Sequence, residues 1–107
     1  MKRFISAALL TLFGLSAPLL AAGDAAKGKE LFAKKCVMCH AADGAGAPAM
    51  KKKFGDKLRA LASPEVQKAK DADLVKTFKE AINHKAIAKS LPDADLDNLI
   101  AHIRTLK

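Results

Sequence analysis

The chain has 107 residues, is half hydrophobic, carries 19 Lys and Arg against 11 Asp and Glu for a formal net charge of +8, and contains two cysteines. That length suits one small domain and excludes multidomain enzymes, nucleotide-binding α/β folds and polytopic membrane proteins. Two cysteines are too few for the disulfide framework of a small secreted scaffold.

Lys2 and Arg3 are followed by an apolar run from Phe4 to Leu20, softened by Gly14 and Pro18, which closes on Ala21-Ala22-Gly23. This layout predicts a secretory signal peptide over residues 1–22 and one domain over residues 23–107. The run approaches the ~20 residues that a membrane span needs. Leu20 is also bulkier than the small residue signal peptidase favours there, so an uncleaved N-terminal anchor is the alternative. With the signal cleaved, no stable membrane insertion is expected. The remaining aromatics are Phe32, Phe54 and Phe78. A chain so short, with so few large side chains, needs a staple for its core.

The rest of the chain reads as helices joined by loops, without alternation long enough for a sheet. Asp24 is placed to cap a first helix over about Ala25 to Lys35, with Leu31 and Phe32 on its apolar side. Residues from Ala41 to Met50, rich in Ala, Gly, Asp and Pro, predict a loop. Ser63-Pro64-Glu65 opens a helix with a hydroxyl cap, a proline at the first helical position and an acid in the first turn. Asp71 is expected to cap the next helix, where Leu74, Val75, Phe78, Ala81 and Ile82 share a face. A short loop then ends at Leu91-Pro92. The last helix carries the stripe Leu96, Leu99, Ile100, Ile103 and Leu106, with Asp93, Asp95 and Asp97 at its start and Arg104 and Lys107 at its end.

Cys36-Val37-Met38-Cys39-His40 carries the chemistry. C-x-x-C-H is the attachment signature of c-type haem. Two thiols three residues apart can add to the two vinyl groups of one porphyrin, and the next residue then offers an imidazole to the iron. The bound haem, covalently held, would supply the missing core. The competing readings are a redox dithiol, half of a zinc site and a lone disulfide. A dithiol calls for a βαβ context, and zinc for a second pair of ligands.

Around this motif stand Gly28-Lys-Glu-Leu-Phe32, Ala42-Asp-Gly-Ala-Gly46, Leu91-Pro-Asp-Ala-Asp-Leu96 and Ile100-Ala-His-Ile-Arg-Thr-Leu106. In this order they resemble a small bacterial monohaem class I cytochrome c over nearly all of residues 24–107. The resemblance implies an all-α, cytochrome c-like domain packed around one covalently attached haem. It also implies that the first and last helices cross at Gly28, with Phe32 completing the contact. Pro48 matches the proline whose carbonyl accepts a hydrogen bond from the proximal histidine, here His40. The alternative is that Pro48 only stiffens its loop.

The chain departs from that family at the far side of the iron. No methionine follows Met50, and His84 falls where the family has its axial methionine. Imidazole is a competent iron ligand, so the implied pair is His40 and His84. The alternatives are a solvent-facing His84 with a five-coordinate iron, or ligation by Asn83 or Lys85. His102, Met38 and Met50 are expected to pack or to face solvent.

Lys51-Lys52-Lys53, with Lys57 and Arg59 nearby, reads first as a solvated face and second as a surface that steers an acidic redox partner. Nucleic acid is not expected as a partner, because no stacking aromatics accompany these lysines. The leading function is periplasmic one-electron transport by a monomeric carrier that is not an enzyme, its iron cycling between ferric and ferrous states. The rival is a haem-based gas sensor or weak peroxidase with an open or labile sixth position.

Overall fold

The computed structural model describes residues 23–107, and the signal peptide expected over residues 1–22 lies outside them. All regular elements among the described residues are helical: α1 (Ala25–Lys35), α2 (Val37–His40), α3 (Pro48–Phe54), α4 (Pro64–Lys68), α5 (Asp71–Glu80), α6 (Lys85–Ser90) and α7 (Asp93–Ile103), with 3-10 turns at Gly55–Lys57 and Ile82–His84. None of these helices is long and apolar enough to cross a membrane.

Local chemistry starts several of them. The Asp24 carboxylate accepts from the backbone N–H groups of Ala26 and Lys27 at 2.9 and 3.2 Å, satisfying donors that the first turn of α1 cannot pair. The Ser63 hydroxyl accepts from Val66 N–H at 3.4 Å, and Pro64 supplies the preset φ at the first position of α4.

The main packing is α1 across α7. A Cβ on Gly28 would overlap the backbone carbonyl of Asn98, so only hydrogen permits this approach. The Asn98 side chain returns the contact, its Oδ1 accepting from Asp24 N–H at 2.8 Å. Phe32, Leu91, Leu96 and Leu99 form the buried cluster. Val75, Phe78 and Ile87 from α5 and α6 pack on it, as do Cys36 and Val37.

Four expectations are corrected. The loop over Ala41 to Met50 ends early, because Pro48 opens α3 at its N-terminal position. Asp71 is not a cap: Lys70 occupies that place, and the Asp71 carboxylate instead accepts from Arg104 at 2.6 Å. Ala81 is extended (φ −66°, ψ 127°), which ends α5 and leaves Ile82 77% exposed rather than on the apolar stripe. The stretch before Leu91 is a 3-10 turn followed by α6, not a loop. The stripe of the last helix is buried at Leu96, Leu99 and Ile100, half-buried at Ile103, and its Leu106 lies beyond the helix end.

Arg104 has a role that its place at the end of α7 concealed. Nη1 donates to the carbonyls of Val66 and Gln67 at 3.0 and 2.8 Å, and Nη2 donates to the Ala69 carbonyl at 2.6 Å. One guanidinium thus serves the Gln67 and Ala69 carbonyls at the end of α4, shares the Val66 carbonyl with Ala69 N–H, and ties all three to the start of α5 through Asp71. Gln67 reciprocates, its Nε2 donating to the carbonyls of Leu61 and Ile103 at 2.8 and 2.9 Å.

Candidate haem site

Cys36 ends α1, with its N–H donating to the Phe32 carbonyl at 2.9 Å, and α2 turns once to bring His40 N–H onto the Cys36 carbonyl at 2.9 Å. That single turn keeps Cys36, Cys39 and His40 in one short stretch. Both thiols are free and half-buried. Burial pushes the Cys36 thiol up to about 11, against the opposing effect of Lys35.

After His40 the chain must turn sharply. Ala41 does so at φ 61° and ψ 164°, a region costly for any side chain. Gly46, at φ 97°, then lets the loop fold back, donating to the His40 carbonyl at 2.7 Å, and Ala47 donates to the Cys39 carbonyl at 2.9 Å. The loop therefore grips the motif by its backbone. The His40 ring gains nothing from it: His40 Nδ1 is buried without a hydrogen-bond partner. The bond expected between His40 and the Pro48 carbonyl is not made in this structure, where Pro48 serves as the first residue of α3.

His84 arrives from the other side, at the end of the 3-10 turn that follows the break at Ala81. Its ring lies 6.1 Å from that of His40, centroid to centroid, with the planes 30° apart. His84 Nδ1 is likewise buried without a partner. Its ring stacks on Phe78 at 4.6 Å, and that of His40 lies 6.4 Å from Phe32. Burial holds both imidazoles below the usual histidine range. His84 adds to the effect on His40, and the Phe78 backbone opposes it on His84. Burial thus favours the neutral form of each ring, the form that binds metals.

These residues fit a haem iron. Two imidazoles bound on opposite sides of one metal at ~2.0 Å per bond have ring centroids about 6 Å apart, which is the separation seen here. Two half-buried imidazoles 6.1 Å apart, each with an unpartnered Nδ1, together with two free thiols, form the donor set such a group requires.

The other candidates lie elsewhere. His102 is buried between α1 and α7, its ring 5.1 Å from that of Phe32. Met50 is half-buried in α3, and Met38 is 81% exposed. Sequence reasoning missed Phe78 as the support of His84. The two residues are six apart, which is not a helical spacing, and only the break at Ala81 folds one ring onto the other. An aromatic residue shortly before a helix break was the available signal.

A cytochrome c family model matches residues 25–107. The chain belongs to the cytochrome c family. It is similar to cytochrome c-554(547) of Halothiobacillus neapolitanus, at 34% identity over 96 residues that cover 80% of this chain and 100% of that protein. No solved structure matches the chain. This is a small class I monohaem cytochrome c of all-α fold. Its cofactor is covalently bound haem c with iron, and it serves electron transport with redox partners.

Proposed function

We propose that this cytochrome is an exported periplasmic electron carrier, formed by residues 23–107 after removal of the leader, and not an enzyme. In this reading Cys36 and Cys39 would hold the haem through two thioether bonds, and His40 and His84 would bind its iron. The observation that carries it is the pairing of the His40 and His84 imidazoles, with centroids 6.1 Å apart.

When bound, the haem supplies an iron that changes by one electron between its ferric and ferrous states. The chain's residues keep the surroundings constant through that change. Gly46 and Ala47 hold the backbone of His40 and Cys39, and Phe78 backs the ring of His84. Phe32, Leu91, Leu96 and Leu99 exclude water. With His40 and His84 both bound to the iron, no coordination site would be left for a substrate. Lys51, Lys52 and Lys53 are exposed on α3 and suit the approach of an acidic redox protein to a monomeric carrier.

The deciding experiment is the optical spectrum of the reduced protein with and without carbon monoxide. A low-spin spectrum that the gas leaves unchanged is expected. Ready formation of a carbon monoxide complex, or a high-spin spectrum, would favour the gas-sensing or peroxidase reading. His84→Met should raise the reduction potential, because methionine ligation does so. After acid denaturation and extraction with organic solvent, the colour should stay with the polypeptide. Osmotic shock should release the processed protein, with its N-terminus at Gly23.

A further inference from the structure

A third imidazole lies outside the facing pair. His102 is 7% exposed and is the buried polar side chain among the described residues. It is pressed against α1 so closely that a Cβ on Gly28 would meet its own Cβ at 3.0 Å. Its ring leans on Phe32 at 5.1 Å, and the other side of the series is the Phe32–His40 pair at 6.4 Å. A cavity of about 420 Å³ opens to solvent beside it, lined by His102, Lys29, Thr105 and small or apolar side chains. The ring is thus near the iron's proximal ligand yet reachable by a proton from water.

We propose that electron uptake by this cytochrome is proton-linked through His102. Each electron taken up from a redox donor would be accompanied by one proton from solvent, which forms an N–H bond at a ring nitrogen of His102. No bond within the chain breaks, and reoxidation releases both. The inference rests on His40 carrying the iron.

The cause is electrostatic. The 5.1 and 6.4 Å contacts through Phe32 link the His102 ring to that of His40, and an electron added at a distance on the order of 12 Å would, at an effective dielectric of ~20, raise the proton affinity of the ring about tenfold. By linkage, protonation favours the ferrous state by the same factor, equivalent to about 59 mV between the two limits for one electron. Lys29 is the charged group that faces His102 from α1. The loop after α2 presents Ala42 to the cavity, its Asp43 carboxylate being engaged by Ala45 N–H at 3.0 Å. Beyond α7, the Thr105 hydroxyl donates to the carbonyl of His102 itself at 2.6 Å. Burial first, and Lys29 second, hold His102 below the usual histidine range, so the coupling operates on the acid side of neutrality.

The test uses the haem-loaded protein. The midpoint potential is followed from about pH 4.5 to 8 in the wild type, His102→Gln and His102→Phe, and the His102 ring-proton resonance is titrated by NMR in both oxidation states. The wild-type potential should fall as pH rises toward neutrality. In both variants that fall should shrink, and all three potentials should meet above neutrality. The wild-type resonance should titrate about one unit higher in the ferrous protein. An unchanged slope in both variants, which would assign the titration to other groups such as the haem propionates, overturns the proposal. Equal titration of His102 in the two states also overturns it, and this arm needs no variant to fold. Loss of covalent haem or of the low-spin spectrum would instead strike the ligand assignment.

Discussion

Phe78 and His84 stack with their ring centroids 4.6 Å apart and their planes inclined by only 28°. The contact joins α5 to the turn that follows it, across the extended residue Ala81. His84 Nδ1 has no hydrogen-bond partner, so Phe78 steadies the ring through this stack and through its backbone.

On the proposed ligation by His84, Phe78→Leu should therefore loosen that ligand. An aromatic pair contributes about 0.5–1.5 kcal/mol beyond its buried area, so the fraction of iron with an open position should rise about 2- to 10-fold. Faster combination of the reduced protein with carbon monoxide would report it. Phe78→Tyr keeps the stack and should behave as wild type. Equal rates in all three proteins would show that Phe78 does not hold the ligand.

Gly28→Ala should destabilise the haem-loaded protein. At an exposed helical position this change gains up to about 1 kcal/mol, but here the new methyl would overlap the Asn98 carbonyl. Overpacking costs about 1–3 kcal/mol, so the denaturant midpoint should fall. A rise in the midpoint would mean that the two helices do not cross at this glycine.

Arg104→Lys should not rescue the clamp at the end of α4. A single ammonium cannot reach the carbonyls of Val66, Gln67 and Ala69 together, which the planar guanidinium does with two nitrogens. Loss of charge-assisted hydrogen bonds predicts a cost of about 2–3 kcal/mol in chemical denaturation. Asp71→Asn should cost less, about 1 kcal/mol or below, because that carboxylate is largely exposed.

Reversing Lys51, Lys52 and Lys53 to Glu should slow second-order electron transfer to an acidic partner, most strongly at low ionic strength, and leave the haem spectrum unchanged. The control reverses Lys68, Lys70 and Lys76, which matches the net charge. Equal rates in the two triple variants would reduce the effect to general electrostatics.

The sequence by itself determined what depends on neighbours along the chain. The Asp24 cap, the Ser63-Pro64 helix start and the haem motif with His40 are each complete within about one helical turn, and residue type and spacing suffice to read them. Gly28 and His84 were legible at longer range through the order of motifs that the cytochrome c family shares. The tertiary structure alone decided which groups meet across helices. It turned Asp71 from a cap into a partner of Arg104, sent Arg104 from the end of its own helix to the carbonyls of α4, and set His102 against Phe32. It also broke α5 at Ala81, exposing Ile82 and bringing His84 back onto Phe78 and to 6.1 Å from His40. Such contacts depend on the angle between helices and on the direction of the chain after a break. Those are set by the packing of residues far apart in sequence, which no local pattern encodes.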